Sequence, residues 1–155
     1  MIKTFSNFLA ETKKYSDAAG VAILYQKKIL LVHPTNGSWT KPIMGIPKGK
    51  IEVGEDLMEA ALRELREETG IKLAPAKLEP GVETVQVFDK DGNYKSSLHY
   101  FICRISDLSE IGLDGLAIPK SQLQPEEIDW AGFIDIKDAY SKVSRAQLII
   151  LDRIS

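Results

Sequence analysis

The sequence contains one cysteine, Cys103, and only two histidines, His33 and His99, in 155 residues. A lone thiol excludes an internal disulfide framework and a cysteine-rich zinc site. Without a histidine constellation beside it, Cys103 reads as a small core residue rather than a nucleophile. His33 and His99 fall within strand-like runs and read as partly buried sheet residues. No apolar run approaches the ~20 residues that span a bilayer, so no membrane partner is expected. The opening stretch carries Asn7 and Glu11 where a signal peptide needs apolar residues, and a reducing cytoplasm is the expected setting. Charge of one sign is also scarce. Twenty basic residues stand against 22 acidic ones, a net charge of -2, so no global basic field recruits nucleic acid or an anionic membrane. Repeats, low-complexity tracts and dividing linkers are lacking, and residues 1–155 read as one domain with a weakly amphipathic lead-in over 1–16.

The chain has ample material for a core, with 44% hydrophobic and 27% charged residues. Val21 to Tyr25 and Ile29 to Val32 are β-branched runs separated by Gln26-Lys27-Lys28, a strand pair. Residues 35–49 are rich in proline and glycine and predict loop with at most short strands. Further strands are expected over 83–88, 97–105 and 130–134, with a loop over 107–125 and one closing helix over 137–154 whose Ala139, Val143, Leu148 and Leu151 are packing positions. Strands mixed with two helices predict an α/β sandwich.

Residues 56–69 form the strongest helix pattern. Asp56 suits the N-cap with Glu59 three residues on, and Gly70 supplies a left-handed stop. At 100° per residue, Glu64, Glu67 and Glu68 share about 100° of arc beside an apolar stripe of Met58, Leu62 and Leu65. Arg63, Arg66 and Glu59 are left to an outer side where Glu59 can pair with Arg63. From Gly49 to Ile71 seven acids meet three bases. Like charges at this spacing cost roughly 0.2–0.5 kcal/mol per pair, so such a wall needs counterions. Gly49 can offer its carbonyl at a close-approach loop, and glutamates one turn apart add oxygens from the same side. Hard oxygen donors of this kind suit Mg²⁺ or Mn²⁺, which bridge to substrate phosphates.

Gly49, Glu55 six residues on, and then Arg63-Glu64-Leu65-Arg66-Glu67-Glu68-Thr69-Gly70-Ile71 match G-x5-E-x7-R-E-U-x-E-E-x-G-U at every defined position. The segment 49–71 thus resembles the Nudix box, and the strand order around it is similar to that of Nudix hydrolases. The resemblance implies an α/β/α sandwich with a mixed sheet and a metal-dependent hydrolase that cleaves a nucleoside diphosphate linked to another moiety. In the family, the residues matching Glu64, Glu67 and Glu68 bind the divalent ion or assist the attacking water. Arg63 would orient them, and Glu55 would support the loop–helix junction. Relatives often carry a glutamate at Glu52 and a downstream carboxylate that completes the metal site or acts as base. Here Glu126 or Glu127 fills that place, ahead of Glu110. Trp39 and Lys48 lie in a W…PKG approach like that of dinucleoside polyphosphate hydrolases, and Lys48 and Trp39 are candidate substrate contacts. Such hydrolases tend to carry a tyrosine where Phe88 stands, so Phe88 is a candidate base-stacking residue, with Tyr94 further on. The favoured substrate is a nucleoside polyphosphate, either a dinucleoside tetraphosphate or a triphosphorylated RNA end. The alternatives are housecleaning of non-standard nucleoside triphosphates or ADP-ribose, and a catalytically silent nucleotide-binding module.

Overall fold

A computed structural model describes residues 17–155; the lead-in expected over 1–16 lies outside the described residues. Six strands form one sheet: β1 (Ala18–Tyr25), β2 (Lys28–Pro34), β3 (Lys48–Lys50), β4 (Glu83–Phe88), β5 (Tyr94–Ile105) and β6 (Ile128–Asp135). The path runs β4-β5-β1-β2-β6, with β3 also paired to β1. The β1–β5 ladder is parallel and the others are antiparallel, so the sheet is mixed.

Side-chain alternation along the pleat divides the core into two layers. Val21, Ile23, Leu30, Val32, Phe101 and Cys103 face one side, where helix α1 (Leu57–Thr69) packs Ala60, Ala61 and Leu65 against them. Ala22, Leu24, Ile29, Leu31 and Tyr100 face the other, under α2 (Ile136–Ala139) and α3 (Arg145–Ile154). This is an α/β/α sandwich. Burial holds the Cys103 thiol above its usual range, as suits an inert core residue.

The closing helix differs from the expectation of one element over 137–154. It breaks between Ala139 and Arg145 because residues 142–143 take a strand-like role: Met44 N–H donates to the Lys142 carbonyl, and Met44 bridges Val143 in parallel. A loop backbone buried at Met44 needs those partners more than the helix needs continuity. Strands β1, β5 and β6 run beyond their expected limits, and the loop over 107–125 holds two short 3-10 turns, Leu108–Ile111 and Lys120–Gln122.

Candidate active site

Helix α1 is placed as its caps dictate. The Asp56 carboxylate accepts from Glu59 N–H at 2.7 Å, and Gly70 ends the helix in the left-handed region at φ 74°, where a side chain would be strained. At its other edge α1 meets β3. Glu68 Oε1 accepts from the Lys48 backbone N–H at 3.0 Å, which ties the helix to the loop that precedes it in sequence. Gly49 leaves room for an acid at this junction. A Cβ there would fall 2.1–2.3 Å from the Glu64 carboxylate, so any side chain at 49 makes that carboxylate or the strand shift.

Arg63 does not lie on an outer face and does not pair with Glu59. Its guanidinium turns inward, with only 16% of the side chain exposed. Nε and Nη2 bind the two oxygens of Glu55 at 2.6 and 3.0 Å, and Nη2 also donates to the Lys50 carbonyl at 2.9 Å. Nη1 reaches Glu64 at 2.9 Å and Glu67 at 3.1 Å. Sequence periodicity missed this because it places a Cβ, whereas a long arginine can fold back over the helix end. These are the contacts through which the orienting role implied by the box resemblance would act. Glu55 is held below the ordinary carboxylate range by its bonds to Arg63 and by the Glu52 N–H, and those same acids push the Arg63 pKa up. The pair is therefore fully charged at any physiological pH.

A cavity of about 630 Å³ collects several of the candidate side chains. Its lining includes Lys48, Gly49, Glu64, Glu67, Glu68 and Glu127. Burial dominates the electrostatics. It pushes the Glu68 carboxyl up to about 8 against the pull of the Lys48 N–H, with the charges of Glu64 and Glu127 adding to the rise. Glu64 is raised by burial, resisted by Arg63 and reinforced by Glu67 and Glu127. Glu64 and Glu68 thus share a space that disfavours their charge. Among the described residues no three such groups converge at ligand spacing, since Arg63 draws Glu64 and Glu67 towards itself. The donor chemistry nevertheless suits a hard divalent ion, with several glutamates and Gly49 lining one cavity.

Other expected residues lie elsewhere. Glu126 is exposed and outside the cavity, as is Glu52, whose carboxylate is 67% exposed and 3.7 Å from Arg63. Glu110 accepts from Ser106 and Asp107 N–H and caps a 3-10 turn. Trp39 is 55% exposed and stacks on His33, ring centroids 3.7 Å apart, while its Nε1 donates to Asp129 at 3.3 Å. His33 is fully buried rather than partly so, held between Asp129 and the Ser38 carbonyl. His99 bonds Thr84 and Asp17 across the sheet. Phe88 packs edge-on against Tyr94 and lines a separate cavity with Arg145 and Ile149. In return, the site includes Gln124, Ser144 and Gln147, which motif reading missed. Only Gln147 left a trace in the sequence: a polar residue four positions from both Val143 and Leu151, on the apolar stripe of a helix.

The fold is a mixed-sheet α/β/α sandwich that sets a wall of carboxylates beside a glycine-ended loop. The comparisons with known proteins agree. A family model described as the NUDIX domain matches residues 14–151, and the chain belongs to that family. The fold is similar to a MutT NUDIX hydrolase from Burkholderia pseudomallei, with TM-score 0.67 and 23% identity over 90% of this chain and 98% of that one. It is also similar to an Ap4A hydrolase from C. elegans, with TM-score 0.60 and 24% identity over 89% and 93%. Among curated proteins, the m7GpppN-mRNA hydrolase NUDT17 of Xenopus laevis is 47% identical over 58 residues, 35% of this chain and 20% of that protein. A methanol dehydrogenase activator of Bacillus methanolicus is 48% identical over 52 residues, 34% and 28%. The matches thus span between a fifth and under a third of those curated relatives.

Proposed function

We propose that this protein is a divalent-metal-dependent pyrophosphohydrolase that cleaves a nucleoside diphosphate linked to further phosphate, with a dinucleoside polyphosphate or a triphosphorylated RNA end as the favoured substrate. The observation that carries the reading is the sharing of one cavity by Gly49, Glu64, Glu67, Glu68 and Glu127, with charge-disfavouring burial of Glu64 and Glu68.

The Gly49 carbonyl and the carboxylates of Glu64, Glu67 and Glu68 would hold Mg²⁺ or Mn²⁺. When bound, the ion neutralises the diphosphate, polarises the attacked phosphorus and makes a water acidic enough to attack at neutral pH. Arg63 fixes Glu64 and Glu67 through Nη1 while its other nitrogens stay on Glu55 and Lys50. Glu127, which lines the same cavity, takes the proton of the attacking water. Lys48 binds a phosphate oxygen, and the exposed rings of Trp39 and Phe88 offer stacking faces for bases outside the cavity. The named activities of two relatives, on m7GpppN-mRNA and on Ap4A, support a substrate with several phosphates.

Turnover of nucleoside triphosphates, dinucleoside polyphosphates, ADP-ribose and capped RNA with Mg²⁺ or Mn²⁺, with products identified by mass, tests the reading. Glu67→Gln is expected to fold normally and lose about 10²–10⁴ in rate. Wild-type rates in that variant at saturating Mg²⁺, or a melting temperature indifferent to millimolar metal, would refute it.

A further inference from the structure

We propose that Thr35 and Asp129 are positioning residues for the hydrolysis: they clamp the chain on either side of Glu127 and so hold its carboxylate at the cavity. This rests on the reading of Glu127 as acceptor of the water's proton, and it adds the two residues through which that glutamate is held.

Glu127 stands on an exposed turn yet lines the carboxylate cavity. A long side chain on a free surface backbone would point there only part of the time. The backbone of Glu127 is not free. Its N–H donates to the Gln124 carbonyl at 2.9 Å, and its carbonyl accepts from Thr35 N–H at 2.9 Å. The Thr35 hydroxyl reaches further back along the same turn and donates to the Pro125 carbonyl at 2.7 Å. One half-buried threonine thus holds the turn at both 125 and 127.

The second hold comes from an interruption in the β2–β6 ladder. His33 pairs with Trp130, but the next residue, Pro34, pairs with Ile128, so Asp129 is left over as a bulge. Pro34 has no N–H to give the ladder, and the bulge falls where that donor is missing. A bulge re-aims a side chain, and here it brings a carboxylate onto two rings. Asp129 Oδ1 lies 2.7 Å from His33 Nδ1, and Oδ2 accepts from Trp39 Nε1 at 3.3 Å. The rings of His33 and Trp39 stack with planes 14° apart, and His33 Nε2 donates to the Ser38 carbonyl at 3.0 Å. His33, fully buried in β2, anchors this closed circuit of three side chains.

Both holds issue from one stretch, His33 to Trp39, and both close on residues 125–129. A surface turn tolerates motion, whereas a proton acceptor must stay within reach of its water. Misplacing a reacting group by about 1 Å can cost 10²-fold in rate, so loosening the clamp acts on turnover.

Thr35→Val removes the hydroxyl and keeps both the Cβ branch and the backbone N–H. Asp129→Ala removes both ring contacts, while Asp129→Asn can still accept from Trp39 and donate to His33. Turnover at saturating Mg²⁺ is measured on Ap4A, and on 5′-triphosphorylated RNA where Ap4A is not hydrolysed. Thr35→Val is expected to lower kcat about three- to tenfold with KM within about twofold of wild type. Asp129→Ala should lower kcat about ten- to thirtyfold and raise KM as well, because Trp39 loses its tether. Thr35→Ser and Asp129→Asn should recover most of each loss in kcat. In a Glu127→Gln background neither Thr35→Val nor Asp129→Ala should lower kcat further, because the group they position is gone. Amide hydrogen exchange reads the clamp without turnover: the N–H groups of Glu127 and Ile128 both bond the Gln124 carbonyl, and both should exchange faster in Thr35→Val and Asp129→Ala. Wild-type kcat in both single variants, losses that add to that of Glu127→Gln, or unchanged exchange would overturn the proposal. Wild-type kcat in Glu127→Gln would instead refute the role given to that residue, and a wild-type protein that hydrolyses neither substrate would refute the pyrophosphohydrolase reading itself.

Discussion

Glu68 makes the metal-free protein sensitive to pH in a direction that can be worked out. Its carboxyl moves from 4.5 to about 8 because burial disfavours the charge more than the Lys48 N–H stabilises it. The folded state therefore holds a proton that the unfolded chain releases. A raised carboxylate pKa contributes stability that is complete below about pH 4.5 and is lost as pH climbs towards 8. The slope is about 1.4 kcal/mol per pH unit for one proton, or roughly 2–3 kcal/mol between pH 5 and pH 7. For a domain of this size that corresponds to roughly 4–12 °C in melting temperature. Glu68→Gln keeps an oxygen for Lys48 and removes the titration. Melting curves in chelator from pH 5 to pH 8 should therefore converge at the acidic end and separate at the basic end, with the variant higher. Mg²⁺ at pH 8 should restore the wild type more than the variant, because a bound dication offsets the charge that burial opposes. Parallel curves for the two proteins in chelator would show that Glu68 is not held protonated by its surroundings.

Two other substitutions separate the site from its scaffold. Gly49→Ala inserts a methyl 2.1–2.3 Å from the Glu64 carboxylate, so the acid or β3 must shift. The expected outcome is a native far-UV spectrum with at least tenfold weaker Mg²⁺ dependence of activity, and an unchanged metal titration would refute it. Leu65→Ala empties a fully buried position between α1 and the sheet. It should cost about 3 kcal/mol in denaturant unfolding, and a loss below 1 kcal/mol would mean that α1 is not packed as described.

The helix and its acids were legible because they obey local rules. Asp56, Gly70 and the 3.6-residue period act within α1 itself, and Gly49 and the glutamates form a contiguous pattern. What escaped depends on distant chain. The break after Ala139 exists because Met44, about a hundred residues earlier, needs backbone partners at 142–143. The separation of Glu127 from Glu126 depends on which way one loop residue turns, and adjacent glutamates carry no signal for that. Trp39 reads as a substrate contact from its neighbours in sequence, but its stacking on His33, made between the end of β2 and the following loop, leaves no local pattern. Gln147 was visible only as an anomaly, a polar side chain where the helix called for an apolar one.

Arg63 connects these observations. A wall of glutamates cannot persist beside a buried carboxylate without a cation, and in the metal-free fold the cation is supplied from within. Two nitrogens of the guanidinium remain committed to Glu55 and Lys50, while Nη1 alone spans Glu64 and Glu67. A divalent ion then competes for carboxylate oxygens with one nitrogen rather than with the whole side chain. The bonds to Glu55 and Lys50 do not involve Glu64 or Glu67, so those two acids would have to turn from Nη1 to converge on a metal while the arginine itself keeps its place. A lysine at 63 would offer one point charge in place of this divided fork and could not do both. The acidic cluster is thereby neutralised from within the fold, and only one guanidinium nitrogen would have to yield its carboxylates to a dication.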